Sequence, residues 1–94
     1  MTWKFDQAPN VACITCRSVV AGQPVLLVTH YEDDGSWAFL DGQALDMSDA
    51  MIVAMSTILD MHPDLDEIAD LPMGWSATRL AVDEPWSKSN DKYV

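Results

Sequence analysis

Apolar and polar positions along this 94-residue chain fall into short runs separated by turn residues. The run "VACIT" (11–15) is apolar with β-branched members and reads as a buried strand. The next segment, "CRSVVAG" (16–22), either continues that strand or curls into one helical turn, with Thr15 as cap and Gly22 as stop. The clearest strand is "VLLVTHY" (25–31); its first four residues are all apolar, so both of its faces are covered there. Asp34–Gly35 is a turn dipeptide, and "WAFLD" (37–41) returns from it as the second arm of a hairpin. Alternation puts Trp37 and Phe39 on one face of that arm and Ala38 and Leu40 on the other.

The second half carries a helical period. Residues 46–62, "DMSDAMIVAMSTILDMH", read as the main helix, capped by Asp46 or Ser48 and ended by Pro63. Met47, Met51, Ala54, Met55, Ile58 and Leu59 share one wide face. Ile52 and Val53 flank the narrow polar stripe, so this helix is apolar most of the way round. Residues 64–71 read as a short second helix, with Asp64 as cap and Glu67 three residues later. "WSATRLAV" (75–82) is a last strand. Residues 83–94 form a partly ordered tail that Trp86 pins, and Trp3 and Phe5 in the lead-in lie along the core edge. The expected architecture is a single α+β domain over residues 1–94. It holds a small, mostly antiparallel sheet of about four strands, with one main and one short helix packed on one face.

Charge narrows the choice of partner. Five Lys and Arg stand against fifteen Asp and Glu, for a formal net charge of −10. That balance argues against direct nucleic-acid binding, which needs a cationic footprint, and against an anionic membrane surface. It attracts a basic protein, and it also simply keeps a small domain soluble. No apolar run approaches the roughly 20 residues that cross a bilayer. The first ten residues have no secretory signal character, so the cytoplasm is the expected compartment, with thiols reduced.

Candidate chemistry is sparse. Cys13 and Cys16, the only cysteines, form a C-x-x-C pair. In one regular strand they point to opposite faces, with Cα atoms roughly 10 Å apart at about 3.3 Å per residue, beyond the reach of a disulfide. With a helical turn starting near Cys16, the sulfurs could approach and Arg17 would lower a thiol pKa. Zinc lacks a ligand set, because His30 and His62 sit at spacings no common C-x-x-C module uses. His62 at a helix end suits the helix dipole instead. The acidic turn Glu32–Asp33–Asp34 lacks the ligand ladder of a calcium loop. No carboxylate pair, nucleophile or phosphate loop has a recognisable setting. No metal and no cofactor is therefore expected. Trp37, Trp75 and Trp86 each lie beside a turn or a strand start, where tryptophan either anchors an interface or closes a small core.

The run from Cys13 to Gly42 pairs a first strand ending in Thr15–Arg17 with an apolar strand at Val25–Val28. An acidic turn at Glu32–Asp34, "GSWAF" at 35–39 and a closing Asp41–Gly42 follow. With "IADLPMGW" (68–75) and "DEPW" (83–86), this layout resembles a group of small bacterial proteins of unknown function. It is similar to the immunity-protein-like domains predicted beside polymorphic toxins. The resemblance supplies no catalytic residue and does not require cysteine at positions 13 and 16. It implies an acidic surface set against a basic toxin domain.

The leading expectation is thus a non-enzymatic domain that binds a basic protein partner through Glu32, Asp33, Asp34 and Trp37. A small thiol-dependent redox protein or sensor using Cys13 and Cys16 is the alternative. A third expectation is a homo-oligomer, such as a homodimer, that buries the helix flank at Ile52 and Val53 between subunits.

Overall fold

A computed structural model describes residues 3–43 and 46–90. Six strands form one mixed sheet: β1 (Ala12–Cys16), β2 (Leu27–His30), β3 (Trp37–Leu40), β4 (Ala50–Ala54), β5 (Trp75–Thr78) and β6 (Ser87–Asn90). Their order across the sheet is β4-β1-β3-β2-β5-β6. Only β1 and β3 run parallel. A single-turn helix α1 (Arg17–Val20) follows β1, and α2 (Met55–Met61) follows β4. Two 3-10 segments, Met47–Asp49 and Pro63–Ile68, complete the described elements. The α+β class holds, with six strands in place of about four.

The main correction is at residues 46–62, where the expected long helix is a 3-10 turn, then β4, then the shorter α2. The partner explains the change. β1 has a free edge, and β4 satisfies it over five residues, from Ala12 opposite Ala54 to Cys16 opposite Ala50. Alternation resolves what the helix could not. Val53 and Met51 lie with Cys13 and Thr15 on the covered side, while Ile52 lies with Ile14 on the other and is 68% exposed. The helical spacing survives only at Met55, Ile58 and Leu59, all buried.

Two further expectations change. Residues 64–71 form no α-helix; the 3-10 turn starts at Pro63, and Asp64 pairs with Arg79 instead of capping. Part of the expected tail is the strand β6, paired with β5 from Trp75–Asn90 to Thr78–Ser87. Residues 91–94 of that tail and residues 1–2 of the lead-in lie outside the described residues. Trp86 does pin this end, with the Arg79 guanidinium stacked 4.2 Å over its ring.

β3 is buried at all four positions. On the covered side, Trp37 and Phe39 stack with ring centroids 5.9 Å apart, and Phe5 meets Trp37 edge-on at 4.9 Å. Phe5 thus belongs to the core itself. His30 also faces this side and stacks on Trp37 at 3.9 Å; its Nδ1 donates to the Leu71 carbonyl over 2.7 Å. Nε2 of His62 donates to the Val19 carbonyl over 3.2 Å, tying the end of α2 to α1. The opposite side of the sheet grades from apolar (Ile14, Ile52) to hydroxylic. There Thr29 and Ser76 hydroxyls lie 3.0 Å apart, and Thr78, Ser87 and Ser89 are exposed. No helix among the described residues is long and apolar enough to cross a membrane.

Candidate functional site

The β2–β3 turn builds the most distinctive surface. Tyr31 N–H donates to the Ser36 carbonyl (2.8 Å) and Gly35 N–H to the Tyr31 carbonyl (3.1 Å), closing a tight loop. Gly35 has φ +72°, and a Cβ there would come within 3.0 Å of Gln7 Nε2, so the loop needs glycine at this point. Asp34 accepts the Ser36 N–H over 3.0 Å. The Ser36 hydroxyl and backbone hold the Asp34 carboxyl below the usual carboxylate range. The turn is therefore a fixed hydrogen-bonded tip, with Glu32, Asp33 and Asp34 all exposed.

Neighbouring segments brace it. Gln7 Nε2 donates to the Gly35 carbonyl over 3.0 Å, which carries the lead-in to the turn. Asp6 follows: its Oδ1 accepts the Trp37 indole N–H over 2.9 Å, and its Oδ2 lies 3.2 Å from His30 Nε2 without completing a hydrogen bond. About half of the Asp6 side chain remains exposed to solvent. From the other side, Gly74 N–H donates to the His30 carbonyl over 2.7 Å. The Glu32 side chain lies over Gly74 and the Met73 sulfur over Gly35, each within 4 Å of where a Cβ would stand. Met73 is 54% exposed and Tyr31 39%. The result is one end of the sheet with four carboxylates around two exposed side chains, the adaptable Met73 and the aromatic Tyr31.

This arrangement revises the expected surface in one member. Trp37 has no exposed area; it lies in the core with its indole nitrogen bound to Asp6, because β3 is sandwiched between β1 and β2. It supports the acidic end from below. Asp6, Tyr31 and Met73 belong to that end, and sequence reasoning passed over them. Tyr31 carried a signal, as the aromatic last residue of the clearest strand. Asp6 and Met73 carried none, since long-range contacts alone bring them to the turn.

The two cysteines do not share a site. β1 runs on through Cys16, so Cys13 faces the covered side and Cys16 the other. Both are free and buried. Burial pushes the Cys13 thiol up from an ordinary 9.0 to about 12. Cys16 Sγ lies 3.4 Å from Ser18 Oγ, whose own proton goes to Asp41 Oδ2 at 2.6 Å. Arg17 turns away to Asp49 (3.4 Å) and the Ser48 carbonyl (3.3 Å). A redox pair needs adjacent sulfurs and a depressed thiol pKa; here the side chains point to opposite faces of β1 and burial raises the Cys13 thiol. Thr15 does not cap α1; its hydroxyl donates to the Phe39 carbonyl over 2.7 Å. Among the described residues, no three His, Cys, Asp or Glu side chains converge to hold a metal ion.

Arg79 is a heavily bonded, buried polar side chain. Nε and Nη2 donate to the Val25 carbonyl (3.1 and 2.9 Å), Nη1 to the Val82 carbonyl (3.1 Å), and Nη2 also to Asp64. Beside it, an open cleft of about 320 Å³ is lined by Thr78, Leu80, Glu84, Pro85 and Ser87. These bonds tie Val25, Val82 and Asp64 to one guanidinium, which acts as a structural clamp.

Compared with known proteins, the chain matches no family model, no curated protein and no solved structure.

Proposed function

We propose that this protein is a non-enzymatic binding domain, immunity-like in its role, whose acidic end docks a basic protein partner. One observation carries the reading: Glu32, Asp33 and Asp34 are presented on a hydrogen-bonded turn, with Asp6 beside it and exposed Tyr31 and Met73 among them. Carboxylates on a fixed support steer a cationic surface and set its register, and Tyr31 and Met73 supply area to desolvate. A net charge of −10 extends the attraction beyond contact range.

The test is pull-down from the native cells followed by native mass spectrometry. Wild type is expected to retain a basic protein, and the triple variant Glu32→Lys, Asp33→Lys, Asp34→Lys to lose it. Raising salt should weaken the wild-type complex, because exposed charges are screened within about 8 Å at physiological ionic strength. A partner held equally by the triple variant would remove this surface from the reading. Retention of only acidic or neutral partners would remove the reading itself.

A further inference from the structure

The two edges of the sheet are protected unequally. β6 is short and polar, and its Lys88 pairs with Asp70 at 3.3 Å. β4, at the other edge, reads Ala50-Met51-Ile52-Val53-Ala54, with no charge, no proline and no bulge in its pairing to β1. Among the described residues no strand pairs with its outer side. An unblocked apolar edge presents a row of backbone donors and acceptors that is a ready template for another extended strand. Just ahead of it, Met47 is 81% exposed.

The strand's own sequence selects the occupant. In polarity it is symmetric about Ile52, with alanine at each end and an apolar residue, Met51 or Val53, on either side of the centre. We propose that β4 pairs antiparallel with β4 of a second copy of this chain, about a twofold axis at Ile52. That register sets Ile52 against Ile52, Met51 against Val53 and Ala50 against Ala54. Each pair then faces one side of a sheet continued through both copies. The half-buried Met51 and Val53 gain cover on the core side, and Ile52 gains cover on the open side. The alanines leave room for close approach at both ends. A twofold interface must be self-complementary in this way, whereas a foreign strand would not call for the symmetry.

Charge gives the seam a signature. Each copy carries −10, yet the strand is uncharged, and Asp49 just outside it is paired with Arg17. Salt therefore relieves repulsion between copies without touching the seam, so dimerisation tightens as ionic strength rises. The basic-partner complex weakens under the same change, which keeps the two readings separable.

The experiment is sedimentation velocity on the full chain over a concentration series at low and high salt. The expected result is a monomer–dimer equilibrium that shifts toward dimer in high salt. Ile52→Lys places like charges opposite each other at the axis and should weaken association at least about tenfold; circular dichroism checks that it folds. In an independent arm, Ile52→Cys should form an intermolecular disulfide under mild oxidation, and Leu80→Cys, on a more exposed site elsewhere, should not. A chain that stays monomeric at all concentrations overturns the proposal. So does a dimer indifferent to Ile52→Lys, an assembly that grows beyond two copies, or a monomer whose β4 edge is claimed only by a foreign protein.

Discussion

The edge strands β4 and β6 reached the sheet by opposite routes. β4 has the composition of a buried helix, and β6 that of a solvated tail. Each is a strand because the neighbour inside it has backbone groups to satisfy: β1 for β4 and β5 for β6. They differ in what holds them. β4 turns Met51 and Val53 toward the core, so side-chain burial reinforces its ladder. Ser87–Asn90 has no apolar anchor of its own, and depends on Trp86 immediately before it, held under the Arg79 guanidinium. One edge is secured by its own residues and the other by a clamp outside the strand.

Breaking the clamp is the most severe test of that contrast. Arg79→Ala strands the Val25 carbonyl and the Asp64 carboxylate and frees Trp86, and should cost about 3 kcal/mol in urea unfolding. Arg79→Lys should recover little of it, since an ammonium cannot span Val25, Val82 and Asp64 together. A loss under about 1 kcal/mol would show that β6 stands without the clamp.

The β4 side is sharpened by adjacent substitutions. Val53→Asp puts a carboxylate toward the core and should cost about 2 kcal/mol. Ile52→Asp, one residue away on the exposed face, should change monomer stability by under about 0.5 kcal/mol. Both flank the polar stripe of the helix that the spacing suggested, so equal effects would favour that helix over the strand.

Cys13 on β1, directly opposite Val53, reports on the same side through pH. Its folded-state pKa is raised from 9.0 to about 12. Below pH 9 the thiol is neutral in both states and costs nothing. Above pH 9 the unfolded chain releases the proton and the folded chain holds it, so stability falls as pH climbs toward 12. Wild type should lose about 1 kcal/mol relative to Cys13→Ala on going from pH 8 to pH 10, read from urea midpoints. A flat difference would mean that Cys13 is accessible. An equally small effect belongs to the exposed pair of Lys88 on β6 with Asp70: Lys88→Ala should change stability by no more than about 0.5 kcal/mol.

Some of the molecule was legible in the chain. The hairpin of β2 and β3 follows from an apolar run, an Asp-Gly turn and an alternating return, and the structure has it in place. The acidic tip follows as well, because Glu32, Asp33 and Asp34 are contiguous and a turn must be solvated. Trp37 was ambiguous for a physical reason: a tryptophan beside a turn suits a surface or a core, and only the strands on both sides of β3 decide. Asp6 and Met73 join the acidic end through segments remote in sequence, which no local pattern encodes.

By itself, then, the sequence determined the local turns, the apolar strands, the class and the sign of the charge. These depend on propensities and periods within a few residues. Tertiary structure alone decided that 50–54 and 87–90 are strands, that Trp37 lies beneath the acidic end rather than on it, and that Cys13 and Cys16 face apart. In each case the deciding partner is a backbone edge or a side chain far along the chain, and its hydrogen bonds outweigh preferences worth only tenths of a kcal/mol per residue.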